Sequence, residues 1–329
     1  GHALRAELAK NIDRGEQSIL FLNRRGSARM LLCGECGHVP ECPRCSVPMT
    51  YHSANKRLMC HYCGHSEAVM IRCSECGGLM KRVGSGTQKV EQELLALFPN
   101  VKVLRMDADT VGAPRGHEAL LREFEEEKIP ILLGTQMVAK GLDFHNVGLV
   151  GVIAADVSLN IPDYRSSERT FQLITQVAGR AGRGEERGLV VVQTYEPDNF
   201  VFRCATRHDY DSFFQEESAL RSLMEYPPFG DIIMVNFTAE DEQLALDTAL
   251  RCKAYMERVL GSGQARRVLS PKVSASFKGK DSFRHYLIIR CPRGKRNEYV
   301  YDLDHFGQIL LEDKTACSMN IDVNPYSIF

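Results

Sequence analysis

Eight of the twelve cysteines fall in four Cys-x-x-Cys pairs: Cys33/Cys36, Cys42/Cys45, Cys60/Cys63 and Cys73/Cys76. Each pair presents two thiolates from one tight turn, which is half of a tetrahedral site, so four pairs predict two closed structural Zn²⁺ sites. Cys36 and Cys42 leave five residues between them, too tight for two knuckles around one ion, whereas Cys45 and Cys60 leave fourteen. The spacing therefore pairs Cys42/Cys45 with Cys60/Cys63, and Cys33/Cys36 closes with Cys73/Cys76 outside them. Eight thiolates and two zincs sum to about −4. Arg44, Lys56, Arg57, Arg72, Lys81 and Arg82 stand in the same stretch to offset that charge. Four thiolates per metal leave no open position, so the expected role is structural. His38, His52, His61 and His65 are the competing ligands, read here as surface histidines.

Three other segments carry residues suited to phosphate. Phe21 to Gly26 ends an apolar run with Arg24 and Arg25. Gly134 to Phe144 follows another apolar run and holds Thr135, Gln136, Gly141 and Asp143. Glycine lets a backbone approach phosphate, a hydroxyl can bond it, and a carboxylate can hold a ribose. Gln176 to Arg183 reads Gln-Val-Ala-Gly-Arg-Ala-Gly-Arg, with Arg180 and Arg183 three residues apart. On a continuing helix that spacing puts both guanidinium forks on one side, ready for the charge that develops on a transferred γ-phosphate. Each segment alone is also what an ordinary turn or solvated helix end looks like.

The elements that must position these groups alternate. Helical spacing runs over 4–12, 87–98, 117–127 and 167–177, with apolar strands at 18–23, 101–106, 131–133, 147–154 and 188–194. That alternation predicts a parallel sheet covered on both faces. A helix over 209–224 runs into Tyr226-Pro227-Pro228-Phe229-Gly230. Beyond it the order is strand 232–237, helix 242–260, strand 267–269, strand 286–291, helix 298–311 and strand 319–323. This β-α-β-β-α-β order predicts a small ferredoxin-like α+β domain. The expected organisation is 1–31 and 83–228 as one α/β domain, 32–82 as a zinc-binding insertion, and 229–329 as the C-terminal domain.

Composition fits an ordinary globular chain: 44% hydrophobic, 25% charged and a net charge of −1 over 329 residues. No global basic field points to nucleic acid, so any such surface is local. No apolar run reaches the ~20 residues that span a bilayer. Clustered cysteines with four scattered singles suit a reducing cytoplasm.

Taken in order, strand-Arg, Gly-Thr-Gln and Gln-x-x-Gly-Arg-x-Gly-Arg resemble the second RecA-like lobe of a superfamily 2 helicase. Phe-Leu-Asn-Arg-Arg-Gly, the four cysteine pairs, Gly84-Ser85-Gly86-Thr87-Gln88, Asp156, the run from Asp163 to Arg169 and Tyr226 to Phe229 narrow the likeness to the PriA family of replication-restart helicases. The resemblance spans nearly the whole chain and is loosest in the last hundred residues. It implies an ATP-dependent 3′→5′ DNA helicase that restarts stalled forks and assembles the primosome. Arg180 and Arg183 would be its arginine fingers. Gly141, Asp143 and Gln176 would line the ATP site, and Arg24, Arg25, Thr135 and Gln136 would face DNA. Nested zinc pairing is also what the family shows. The implied cofactors are two structural Zn²⁺, with ATP and Mg²⁺ in the full-length protein. The implied partners are branched and single-stranded DNA, the acidic tail of single-stranded DNA-binding protein and primosome loading proteins. The implied state is a monomer in the cytoplasm at the nucleoid, with no membrane contact.

No Gly-x-x-x-x-Gly-Lys-Ser/Thr loop or Asp-Glu-x-His segment is present in these residues. The chain is therefore expected to be a C-terminal fragment that does not turn over ATP by itself. The alternative is a non-hydrolysing, zinc-stabilised scaffold for DNA and primosome proteins, which would not need Arg180 and Arg183. The C-terminal domain is locally basic through Arg266, Arg267, Lys272, Lys278, Lys280, Arg284, Arg290, Arg293, Lys295 and Arg296. That pattern reads equally as solvated charge or as a phosphate or acidic-peptide surface, with Arg293 to Arg296 expected to take the tail.

Overall fold

The computed structural model describes residues 1–22, 30–43, 48–52, 57–60, 65–83, 87–107, 116–135, 146–161, 163–179, 188–273 and 282–326. They divide into two compact units: Gly1–Pro40 with Met70–Ile161 and Arg165–Phe213, and Glu41–Val69 with Pro162–Tyr164 and Phe214–Phe329.

The first unit is built on a five-stranded sheet. Its strands are β1 (Gln17–Leu22), β2 (Val103–Met106), β3 (Ile131–Gly134), β4 (Val147–Ile153) and β5 (Leu189–Val192), in the order β5-β4-β1-β3-β2. Every pairing is parallel. β1 is central and buried along its whole length, which is why Ser-Ile-Leu-Phe-Leu shows no polar alternation. Helices α1 (His2–Asp13) and α2 (Thr87–Leu97) cover one face through Leu4, Leu8, Val90 and Leu94. Helices α3 (His117–Glu126), α4 (Asp156–Leu159), α5 (Ser166–Ala178) and α6 (Phe200–Arg207) follow in the chain. Phe124, Phe171, Ile174, Val177, Val201 and Phe202 from α3, α5 and α6 form the second core with β1 and β4. Gly151 permits the close approach of α1, because a Cβ there would lie 2.6 Å from Leu20 Cδ2 and 2.7 Å from Leu4 Cδ1. The parallel α/β expectation therefore holds. The helix α6 was not expected from periodicity; the Asn199 side chain caps it by accepting the Val201 N–H at 3.0 Å.

The cysteine stretch is shared between the units. In the first unit, strand Met30–Cys33 pairs antiparallel with Met80–Val83. In the second, Thr50–His52, Arg57–Met59 and Ser66–Ala68 make a three-stranded antiparallel sheet.

Helix α7 (Tyr210–Leu223) leads into the C-terminal domain. That domain holds β6 (Gly230–Ala239), α8 (Glu242–Leu260), β7 (Lys272–Val273), β8 (Phe283–Pro292), α9 (Arg296–Glu312) and β9 (Ser318–Val323). The sheet order β7-β8-β6-β9, all antiparallel, is that of a ferredoxin-like domain. Ile233, Val235, Phe237, Leu287 and Ile289 face Ala249, Cys252, Met256, Leu303 and Phe306 of the two helices. Asp241 caps α8 by accepting the Leu244 N–H at 2.7 Å. One strand is displaced from its expected place: Ala265–Arg267 is a 3₁₀ turn, Val268 makes only an isolated bridge to Ile289, and the strand falls at Lys272–Val273. Arg267 is held outside the sheet by its fork-to-fork pair with Glu225.

Candidate metal centre and the C-terminal edge of the sheet

The sulfurs of Cys33, Cys36, Cys73 and Cys76 lie within 4.8 Å of one another. Cys33 to Cys76 is 3.4 Å and Cys36 to Cys73 is 3.6 Å. A tetrahedron with Zn–S bonds of about 2.3 Å has edges of about 3.8 Å, so this donor set fits one zinc. Two matching knuckles present it. The Gly37 N–H donates to the Cys33 carbonyl at 3.1 Å, and the Gly77 N–H to the Cys73 carbonyl at 3.0 Å. The Cys33 N–H reaches the His38 carbonyl, and the Cys73 N–H the Gly78 carbonyl, each at 2.8 Å. Gly37 and Gly77 have φ of +79° and +74°, which explains Cys-x-x-Cys-Gly in both. Backbone N–H groups of Glu35, Glu75 and Gly78 point at the Cys33, Cys73 and Cys76 sulfurs at 3.4 Å. Arg72 donates to the Gly77 carbonyl at 3.1 Å, and the Lys81 side chain lies over Gly34. His38 contacts Ser74 Oγ at 3.4 Å and is not among the four clustered donors.

Of the other four cysteines, Cys42 and Cys60 are buried, while Cys45 and Cys63 lie outside the described residues. The Cys60 N–H donates to the His65 carbonyl at 2.8 Å, the same bond that closes the two outer knuckles.

Because the sheet is all parallel, the segments after its strands leave from one edge. β1 ends at Leu22 beside Ile153, and Phe21 aligns with Gly134. The strands that precede the two phosphate-type stretches in sequence, β1 and β3, are thus neighbours in the sheet. Thr135 is half-buried, with its N–H on the Met106 carbonyl at 3.3 Å. Gln176 is exposed in the last turn of α5. Arg24, Arg25, Gln136, Gly141, Asp143, Arg180 and Arg183 lie outside the described residues.

Two buried carboxylate networks on this edge escape a linear reading. Asp107, just after β2, accepts the Thr87 hydroxyl and pairs with Arg105 Nε at 3.2 Å. Arg105 also reaches Glu91 at 3.1 Å. Asp156 is 3% exposed and accepts the Thr194 hydroxyl and the Tyr195 N–H. An Asp at the end of an apolar strand is the one signal available for either.

Comparison with known proteins shows what the chain is similar to. Residues 42–67 match the PriA DNA helicase Cys-rich region, residues 67–185 the helicase conserved C-terminal domain, and residues 222–326 the primosomal protein N C-terminal domain. Replication restart protein PriA of Bacillus subtilis (strain 168) is 42% identical over 326 residues, covering 98% of this chain and 40% of that protein. Replication restart protein PriA of Synechocystis sp. is 38% identical over 331 residues, covering 99% of this chain and 39% of that protein. A solved structure of S. cerevisiae Dbp5 bound to RNA and ADP BeF3 overlays 68% of this chain and 43% of that one, at 11% identity and a TM-score of 0.30. The chain spans about two fifths of the length of these curated relatives. Through the Cys-rich, helicase C-terminal and primosomal C-terminal regions together, the chain matches the C-terminal part of the PriA proteins.

Proposed function

We propose that this chain supplies the second motor lobe, the zinc module and the C-terminal domain of an ATP-dependent 3′→5′ DNA helicase that restarts stalled forks and assembles the primosome. The observation that carries this reading is the shared edge of the parallel sheet, where β1 and β3 end side by side next to the end of β4. Nucleotides and phosphates bind at the carboxyl ends of strands in such sheets. Arg180 and Arg183 then stabilise the charge developing on the γ-phosphate, while Gly141, Asp143 and Gln176 line the ATP side. Arg24, Arg25, Thr135 and Gln136 face the DNA backbone.

In the same reading Cys33, Cys36, Cys73 and Cys76 hold one structural Zn²⁺, and Cys42, Cys45, Cys60 and Cys63 hold a second. The metals supply rigidity to short hairpins. The functional segments are 1–31 with 83–228, 32–82 and 229–329. The partners are branched and single-stranded DNA, the acidic tail of single-stranded DNA-binding protein and primosome loading proteins, met as a monomer at the nucleoid. Eight cysteines clustered in metal-ligand pairs and four scattered singly suit a reducing cytoplasm.

The test uses the longer protein with Mg²⁺-ATP and DNA. Arg180→Ala and Arg183→Ala are each expected to lower ATP turnover about 10³-fold while leaving DNA affinity within a factor of about two. Turnover unaffected by either change would favour the scaffold reading instead. The 329-residue chain alone is expected to hydrolyse no ATP above background.

A further inference from the structure

Asp156 opens α4 where the chain leaves the sheet edge, and its buried carboxylate is taken up by neutral donors. Burying a carboxylate is unfavourable unless its oxygens are satisfied. Here they take the Thr194 hydroxyl on Oδ1 and the Tyr195 N–H, at 3.1 and 3.2 Å to the two oxygens. Thr194 Oγ1 in turn accepts the Glu196 N–H at 3.0 Å, so the turn after β5 is tied to α4 by a chain of bonds.

The other end of α4 is tied to α5. The Thr170 hydroxyl, fully buried in the middle of α5, donates to Ser158 Oγ at 2.9 Å. Ser158 Oγ donates to the Ala155 carbonyl at 2.9 Å, and Asn160 Nδ2 to the Asp156 carbonyl at 2.9 Å. Ala154, which enters this arrangement, has φ of +53°. A non-glycine residue holds that conformation only where its surroundings fix it, and such residues gather at functional sites. α5 runs on to Gln176 and then to the Gly-Arg-x-Gly-Arg segment.

We infer that Asp156 is a positioning residue: its carboxylate ties the turn after β5 to the start of α4, and α4 in turn is tied through Ser158 to Thr170, so it sets where α5 lies and where the arginine-bearing segment is delivered. The inference rests on the proposed function for its effect on turnover, but not for its effect on α5. A polar chain is suited to the task because a hydrogen-bonded network admits one geometry, whereas apolar packing admits several.

Two measurements test it. In the 329-residue chain, Asp156→Asn and Thr194→Val are expected to raise amide hydrogen exchange over 171–178 about tenfold, with β6 amides unchanged and Thr194→Ser at the wild-type rate. In the longer protein, the same variants are expected to lower kcat for ATP about tenfold with KM within about twofold, again with Thr194→Ser restoring it. Unchanged exchange over 171–178 overturns the inference, as does a rise spread evenly over the chain. Raised exchange over α5 with intact kcat overturns the link to delivery of the arginines. A wild-type longer protein without ATP turnover overturns the proposed function instead, and the exchange arm then decides the role of Asp156 alone.

Discussion

Lys272 Nζ donates to the carbonyl of Cys60 at 3.1 Å, across 212 positions of sequence. The lysine belongs to β7 of the C-terminal sheet and the cysteine to the inner knuckles, and both lie in the same compact unit. A cation bonded to the backbone of a metal ligand offsets the negative charge of a four-thiolate site and fixes the ligand turn. On the proposed second zinc site of Cys42, Cys45, Cys60 and Cys63, Lys272→Met is expected to speed zinc loss from that site about tenfold, leaving the outer site unaffected. Stopped-flow transfer to a chromogenic chelator resolves the two ions; equal rates in variant and wild type would contradict it.

The outer cluster predicts proton release on metal binding. Without metal, the N–H groups of Cys36 and Glu35 hold the Cys33 thiol down at about 6. Cys36 rises to about 12: the His38 N–H pulls it down, but the Cys76 sulfur, burial and the other two sulfurs outweigh that pull. Cys76 is raised as well, against the Gly78 N–H. Zinc requires thiolates, so binding at pH 7 displaces the Cys36 and Cys76 protons, and affinity falls as pH falls. Titration calorimetry in buffers of different ionisation enthalpy counts those protons; no buffer dependence would contradict the assignment.

Gly37 tests the fit of the outer knuckle to the α/β unit. Its φ is +79°, and a Cβ would stand 2.6 Å from Tyr195 Cβ. Gly37→Ala is therefore expected to destabilise the first unit by about 1–3 kcal/mol, read by thermal melting of the zinc-loaded chain. Gly77→Ala is the control: it shares the positive φ, but nothing lies within 4 Å of its Cβ position. The smaller shift belongs to Gly77.

His285 gives the C-terminal domain a pH dependence. It is 3% exposed, its Nδ1 has no hydrogen-bond partner among the described residues, and burial lowers its pKa against the pull of Glu242. The unfolded chain takes up a proton near pH 6.5 and the folded one resists it. Stability is thus full above about pH 6.5 and falls as pH drops below it, by up to about 1.4 kcal/mol per pH unit until the folded pKa is reached. His285→Phe should flatten that part of the profile in urea denaturation between about pH 7.5 and 5. A parallel slope in the variant would assign the effect elsewhere.

Much of this could be read from residue order. Alternating apolar runs and helical spacing located the parallel sheet, because each signal is local. The cysteine spacing pointed to Cys33/Cys36 with Cys73/Cys76, and these are the four sulfurs the fold brings together. The 3₁₀ turn at Ala265–Arg267 was not legible, because its apolar neighbours Val268 and Leu269 look like a strand while Arg267 is committed to Glu225. The Asp156 and Asp107 networks were not legible either. Their partners Thr194 and Thr87 are 38 and 20 positions away, and only the folded sheet edge brings them near. Several of the basic C-terminal residues turn out to be engaged within the fold: Arg267 with Glu225, Lys295 with Glu298 and Arg284 with Thr238.

The central place of β1 has a consequence for the order in which the chain can acquire structure. Ser18 aligns with Ile131 on one side and Leu149 on the other, residues 113 and 131 positions further on. During synthesis this largely apolar strand must wait unpaired while both neighbours are made, and such distant pairings are slow. The hairpins between Cys33 and Cys76 meet no such delay. These short antiparallel pairings can form as soon as they are synthesised, while β1 is still without either neighbour.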